Sequence, residues 1–158
     1  MNPKELTARA LPLAQTLREL ERYAPAAERF GLTLSAEQRE RLARCRTEAL
    51  QKTGRVEFGE GVLGKLILAF CDSPNLVSSE YEETLAELQE LFYSFKNECR
   101  DQVTDDELIL AMRLFYDRFG GSLDALAGTD RSRMYRAALT GCLPPEETGG
   151  GEEDEADE

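Results

Sequence analysis

Between residues 79 and 100, apolar side chains recur at Tyr81, Leu85, Leu88, Phe92, Phe95 and Cys99, in steps of 4, 3, 4, 3 and 4. That repeat keeps six side chains on one face of an α-helix, so the stretch is predicted to be a long amphipathic helix. Ser79 and Glu82 have the spacing of a capping box at its start. Thr104 and Glu107 repeat the signal ahead of Leu108, Met112, Phe115 and Phe119, and Gly120 and Gly121 end that second helix. Ser35 and Gln38 open a third, which runs through Leu42, Cys45 and Ala49 to a stop at Gly54. Leu13, Leu17 and Leu20 mark an N-terminal helix over 13–23 with Pro12 in its first turn, and breaks are expected at Pro25 and Gly31. Ser122 starts a short helical segment, and a last helix precedes Pro144 and Pro145. No stretch reads as a strand or as a repeat.

Residues 61–71 carry a different pattern, because Lys65 is their only charge. A helix that is apolar nearly all round belongs in the middle of a bundle. The expected fold is therefore one all-α domain of five to seven helices around a central apolar helix at about 60–71. A flexible segment (1–12) precedes the helical domain (13–142), and a disordered acidic tail (143–158) follows it.

The composition narrows the chemistry. With 158 residues and 41% apolar content, the chain suits a single core. No window approaches the ~20 apolar residues of a membrane span. The N-terminus carries Glu5 and lacks the apolar run of a secretory signal, so a cytoplasmic location is expected. There is no histidine, which removes the commonest general base and neutral metal ligand and rules out a Cys-His or Ser-His site within the chain. The four cysteines stand 26, 28 and 43 positions apart, a spacing that suits buried reduced thiols better than zinc or disulfides. Net charge is −12, but residues 144–158 hold six Glu, two Asp and no basic residue, which leaves −4 for the rest. Such a tail buries too little apolar surface to order itself.

Three places invite a functional reading. In "LILAFCDSPNL" the apolar run ends on Cys71, and Asp72, Ser73 and Asn75 follow, a set that would line a small polar pocket. Pro74 disfavours helix at the residue before it, and Asp and Ser turn readily, so the exit of a buried helix explains the same residues. The second place is the 39–55 helix, where Arg39, Arg41, Arg44, Arg46 and Lys52 form the most basic stretch and could lie on a phosphate backbone. Glu37, Glu40 and Glu48 on the same helix favour a solvated face of ion pairs instead. The third is "FGEGVLG". Its Gly59, Gly61 and Gly64 permit close approach but lack the fingerprint of a P-loop or dinucleotide site.

Glu80-x-x-Glu83 and Glu98-x-x-Asp101 resemble the carboxylate pattern of all-helical nucleotide pyrophosphohydrolases of the MazG type. The resemblance would imply magnesium held by paired carboxylates and cleavage of a nucleoside triphosphate. On one uninterrupted helix, however, the pairs stand ~27 Å apart and cannot share an ion. The fallback metal site gathers Glu98, Asp101, Asp105 and Asp106 across the "QVT" turn, although acidic residues also favour the first turn of any helix.

At "LILAFCDSPN", "LFYSFKNE" and "TDDELILAMRLFYDRFGGSLDAL" the chain resembles an uncharacterised bacterial family of small helical proteins, over about residues 30–127. The resemblance implies a helical fold and brings no activity, cofactor or catalytic residue with it. The expected function is a protein-binding or adaptor module with no cofactor and another protein as partner. A carboxylate-metal enzyme and a nucleic-acid regulator are the alternatives. The 79–100 stripe also leaves a homodimer open.

Overall fold

A computed structural model describes residues 3–145, with side chains from residue 13. Among the described residues the chain is all-helical: α1 (Pro3–Glu28), α2 (Ala36–Thr53), α3 (Leu63–Phe70), α4 (Tyr81–Glu98), α5 (Asp105–Arg118), α6 (Leu123–Ala127) and α7 (Arg131–Thr140). The expected all-α bundle of five to seven helices is therefore what the chain adopts. The expected acidic tail lies outside the described residues from 146 on, as do the side chains of the expected flexible segment 1–12.

Local chemistry sets most helix ends. Ser35 and Gln38 exchange both bonds of a capping box, with Gln38 N donating to Ser35 Oγ at 3.1 Å and Ser35 N to Gln38 Oε1 at 2.8 Å. Thr104 and Glu107 do the same at 3.1 and 2.8 Å. Gly54 and Gly141 close α2 and α7 in the left-handed conformation, with φ of 70° and 73°.

Two expectations need correction. The Ser79–Glu82 box does not form. A 3-10 turn spans Ser78–Glu80, α4 starts uncapped at Tyr81, and the Glu82 carboxylate is taken by Arg41 of α2 at 2.8 and 2.9 Å. The break at Pro25 is also absent, since α1 continues through it for a further turn. Ala24 and Ala27 on either side are buried, so packing of that turn overrides the lost backbone bond.

The stripe read from α4 is wholly internal. Tyr81, Leu85, Leu88, Phe92, Phe95 and Cys99 are all at most 5% exposed. α4 packs chiefly on α2, and α3 sits against α1, α4 and α5. At the α1–α3 crossing a Cβ on Gly64 would stand 2.3 Å from Tyr23 Cδ2, so only glycine admits the ring this close to the helix. The side of α3 that carries Lys65 and Leu68 stays open to solvent, with Leu68 51% exposed.

Candidate functional site

The polar residues after α3 are drawn together by α5. Arg113 donates to Asp72 Oδ1, to the Ala69 carbonyl and to Asp117 Oδ2, at 2.6, 2.6 and 2.7 Å. Ser73 Oγ and Asn75 Nδ2 both donate to Asp117 Oδ1, at 2.7 and 3.1 Å. Burial pushes the Asp117 carboxyl up, but the bonds from Ser73, Arg113 and Asn75 together outweigh it and hold the group below the usual carboxylate range. Cys71 stands apart from this network. Its Sγ faces the Leu68 carbonyl at 3.8 Å, and burial with the neighbouring Asp72 pushes the thiol up, the opposite of an activated nucleophile. Asp72, Ser73 and Asn75 thus tie the turn to α5.

The fallback carboxylates disperse, three of them to separate cations. Asp101 pairs with Arg55 at 2.6 Å, Asp105 with Lys96 at 2.9 Å and Asp106 with Lys65 at 2.9 Å. Glu98 lies in a separate shallow groove with Arg100, Gln102, Arg131, Ser132 and Tyr135. Arg100 and Asp101 occupy the left-handed region, with φ of 54° and 57°. The turn that carries them is strapped by Lys96, which is 7% exposed and donates to the Val103 carbonyl at 2.7 Å. Among the described residues no group of three or more Cys, Asp or Glu is placed to hold a metal ion. The Glu83 and Glu98 ends of the MazG-like pattern fall at opposite ends of one unbroken helix.

The basic face of α2 is likewise committed internally. Arg41 binds Glu82, Arg44 lies 3.4 Å from Glu40, and Lys52 lies 3.0 Å from Glu90. Arg39 is half-buried. Arg46, expected among the possible phosphate contacts, is only 3% exposed and points into the molecule. Its guanidinium donates to Glu57 Oε1 at 3.0 Å, to Thr16 Oγ1 at 3.1 Å and to the Gly59 carbonyl at 2.9 Å. The Tyr93 hydroxyl donates to the same Glu57 oxygen at 2.6 Å. A buried guanidinium requires such a partner set, because an unpaired one would be prohibitively desolvated.

This buried knot governs the surface loop above it. Because Glu57 turns inward, Val56 and Phe58 turn outward and are 77% and 90% exposed. Gly59 takes a left-handed φ of 75°, and a Cβ on Gly61 would stand 2.9 Å from Glu57 Oε1, so both glycines let the loop close over the ion pair. Of the "FGEGVLG" glycines, Gly61 and Gly64 admit close side chains and Gly59 supplies a left-handed turn. The α3 N-terminus is also already occupied, since Gly64 N donates to Glu19 Oε2 at 2.8 Å. Glu19 is 2% exposed, its other oxygen has no partner, and burial pushes its carboxyl up.

Sequence reasoning missed Val56 and Phe58 as surface residues. A signal existed in α2, where Arg46 falls four residues after Leu42 and three before Ala49, on the apolar face rather than the basic one. An arginine in that position demands a buried carboxylate, and Glu57 is the nearest downstream acid that the loop can deliver.

The model of a family of unknown function, DUF6323, matches residues 19–142, and the chain belongs to that family. No curated protein and no solved structure matches it.

Proposed function

We propose that this chain is a protein-binding module, acting in the cytoplasm, that docks a partner protein through the loop carrying Val56 and Phe58. The observation that carries this reading is a pair of large apolar side chains held outward by a rigid buried foundation. A loop anchored by Arg46, Glu57 and Tyr93 loses little conformational freedom on binding, which lowers the cost of association. An exposed aromatic two positions from an exposed β-branched residue suits an interface anchor. The four free cysteines, Cys71 and Cys99 buried, support a reducing compartment.

The rival readings have less under them. Three carboxylates of the metal hypothesis pair with separate cations and Glu98 stands apart, while Arg41, Arg44 and Lys52 of the basic helix each already face a carboxylate. Affinity purification of the full chain from its native cells tests the proposal. The expected result is one stoichiometric protein partner, retained by the native chain and lost on Phe58→Ser. Recovery of the same partner with Phe58→Ser and with Val56→Ser would contradict it.

A further inference from the structure

The helix expected to lie at the centre of the bundle leaves one side bare, and the pattern around that side has a symmetry of its own. Lys65 bonds Asp106 at 2.9 Å and Arg113 bonds Asp72 at 2.6 Å. Both pairs join residues 41 positions apart, so α3 and α5 run side by side in the same direction. Between the two pairs lies a shallow groove of Leu68, Ala69, Ile109 and Leu110, with Leu68 51% and Leu110 45% exposed.

Viewed from solvent, the four charges occupy the corners of a rectangle. Lys65 and Asp72 stand along the α3 edge, and Asp106 and Arg113 stand along the α5 edge. Positive and negative therefore alternate around the groove, and the four charges sum to zero, with Arg113 the least exposed of them at 19% and held from behind by Asp117. A partner surface of one sign gains nothing here, because it meets two like charges for every two opposite ones. A second copy of the same face behaves differently. Rotation about a two-fold axis lying in the face and parallel to the helices sets Lys65 of one copy opposite Asp106 of the other, and Asp72 opposite Arg113. Rotation about the perpendicular in-plane axis sets Lys65 opposite Asp72 and Asp106 opposite Arg113. Either way all four corners meet opposite charge and the exposed leucines meet one another, which is the self-complementarity that an isologous contact requires.

We infer that the α3–α5 face, with Leu68 and Leu110 at its centre and Lys65, Asp72, Asp106 and Arg113 around them, is the contact surface of a homodimer. The inference is independent of the partner-binding reading, since it uses no residue of the 56–58 loop. It also relocates the homodimer that the α4 stripe had suggested, because that stripe is already buried within one chain.

Sedimentation velocity of the full chain, from ~1 µM to ~500 µM, tests the inference over the affinity range of a small interface. Mass should rise with concentration from monomer to dimer. Leu68→Asp, Leu110→Asp and Lys65→Glu, each at an exposed or half-exposed site that leaves the helical circular dichroism unchanged, should each weaken dimerisation at least ~10-fold. Phe58→Ser should dimerise like the native chain. A monomer at every concentration, or a dimer whose affinity any of the three variants leaves unchanged, would overturn it.

Discussion

Arg46 shows how one residue decides the character of a surface. Its guanidinium is buried against Glu57, Thr16 and the Gly59 carbonyl, and that demand turns Glu57 inward and Phe58 outward. Arg46→Ala leaves the part-buried Glu57 without its cation and should cost ~1–3 kcal/mol in urea unfolding, a larger loss than any exposed arginine of α2 would give. Glu19 makes the opposite case. Its carboxyl is raised by burial, so its charge works against the fold at neutral pH, and the cost disappears as pH falls through its native value and the group takes up a proton. Glu19→Gln keeps an acceptor for Gly64 N and removes the charge. Its thermal midpoint should exceed that of the native chain at pH 7, and the difference should shrink on acidification. Only the first role left a trace in the sequence, in the spacing of Arg46 from Leu42 and Ala49, whereas Glu19 sits in an ordinary helical run. Both depend on what folds against them.

Elements were more legible than residues, for a physical reason. The stripes of α4 and α5 and two of the three capping boxes depend on neighbours three or four positions away, and those appear in the sequence as they stand in the fold. The third box failed because Glu82 is claimed by Arg41, 41 positions away, a contact no local pattern encodes. The turn after α3 was read correctly as the exit of a buried helix, but its tie to Arg113 and Asp117 on α5 was not visible. Asp117→Ala strips one acceptor from Ser73, Asn75 and Arg113 and should cost ~1–3 kcal/mol. Because the Asp117 carboxyl is held below its usual range, that stabilisation is complete above pH ~4 and is lost as pH falls through its native value, so native and variant should converge in acid. Gly64→Ala drives a methyl group into the Tyr23 ring and should cost ~1–3 kcal/mol of stability while leaving helix content unchanged.

At the scale of the whole molecule, the helices gather one apolar core, and ion pairs tie α2, α3, α4 and α5 to one another and to their loops. Most features that invite chemistry in the sequence are absorbed into that structure: Cys71 into the core, Asp101, Asp105 and Asp106 into separate ion pairs, and Arg41, Arg46 and Lys52 of α2 into contacts with α4 and the loop. Exposed apolar side chains remain at the 56–58 loop and on the α3–α5 face, and singly at Phe30, Val77 and Leu139. The loop is the better functional candidate because the Arg46–Glu57 ion pair holds it in place, and that pair requires position 58 to face outward without requiring it to be a phenylalanine. A photo-reactive phenylalanine analogue placed at position 58 of the full chain, irradiated in the native cell, tests this most directly. The account predicts a single discrete adduct to one other protein, absent when the analogue is placed at exposed Gln51 on α2. No adduct from position 58, or the same adduct from both positions, would contradict it.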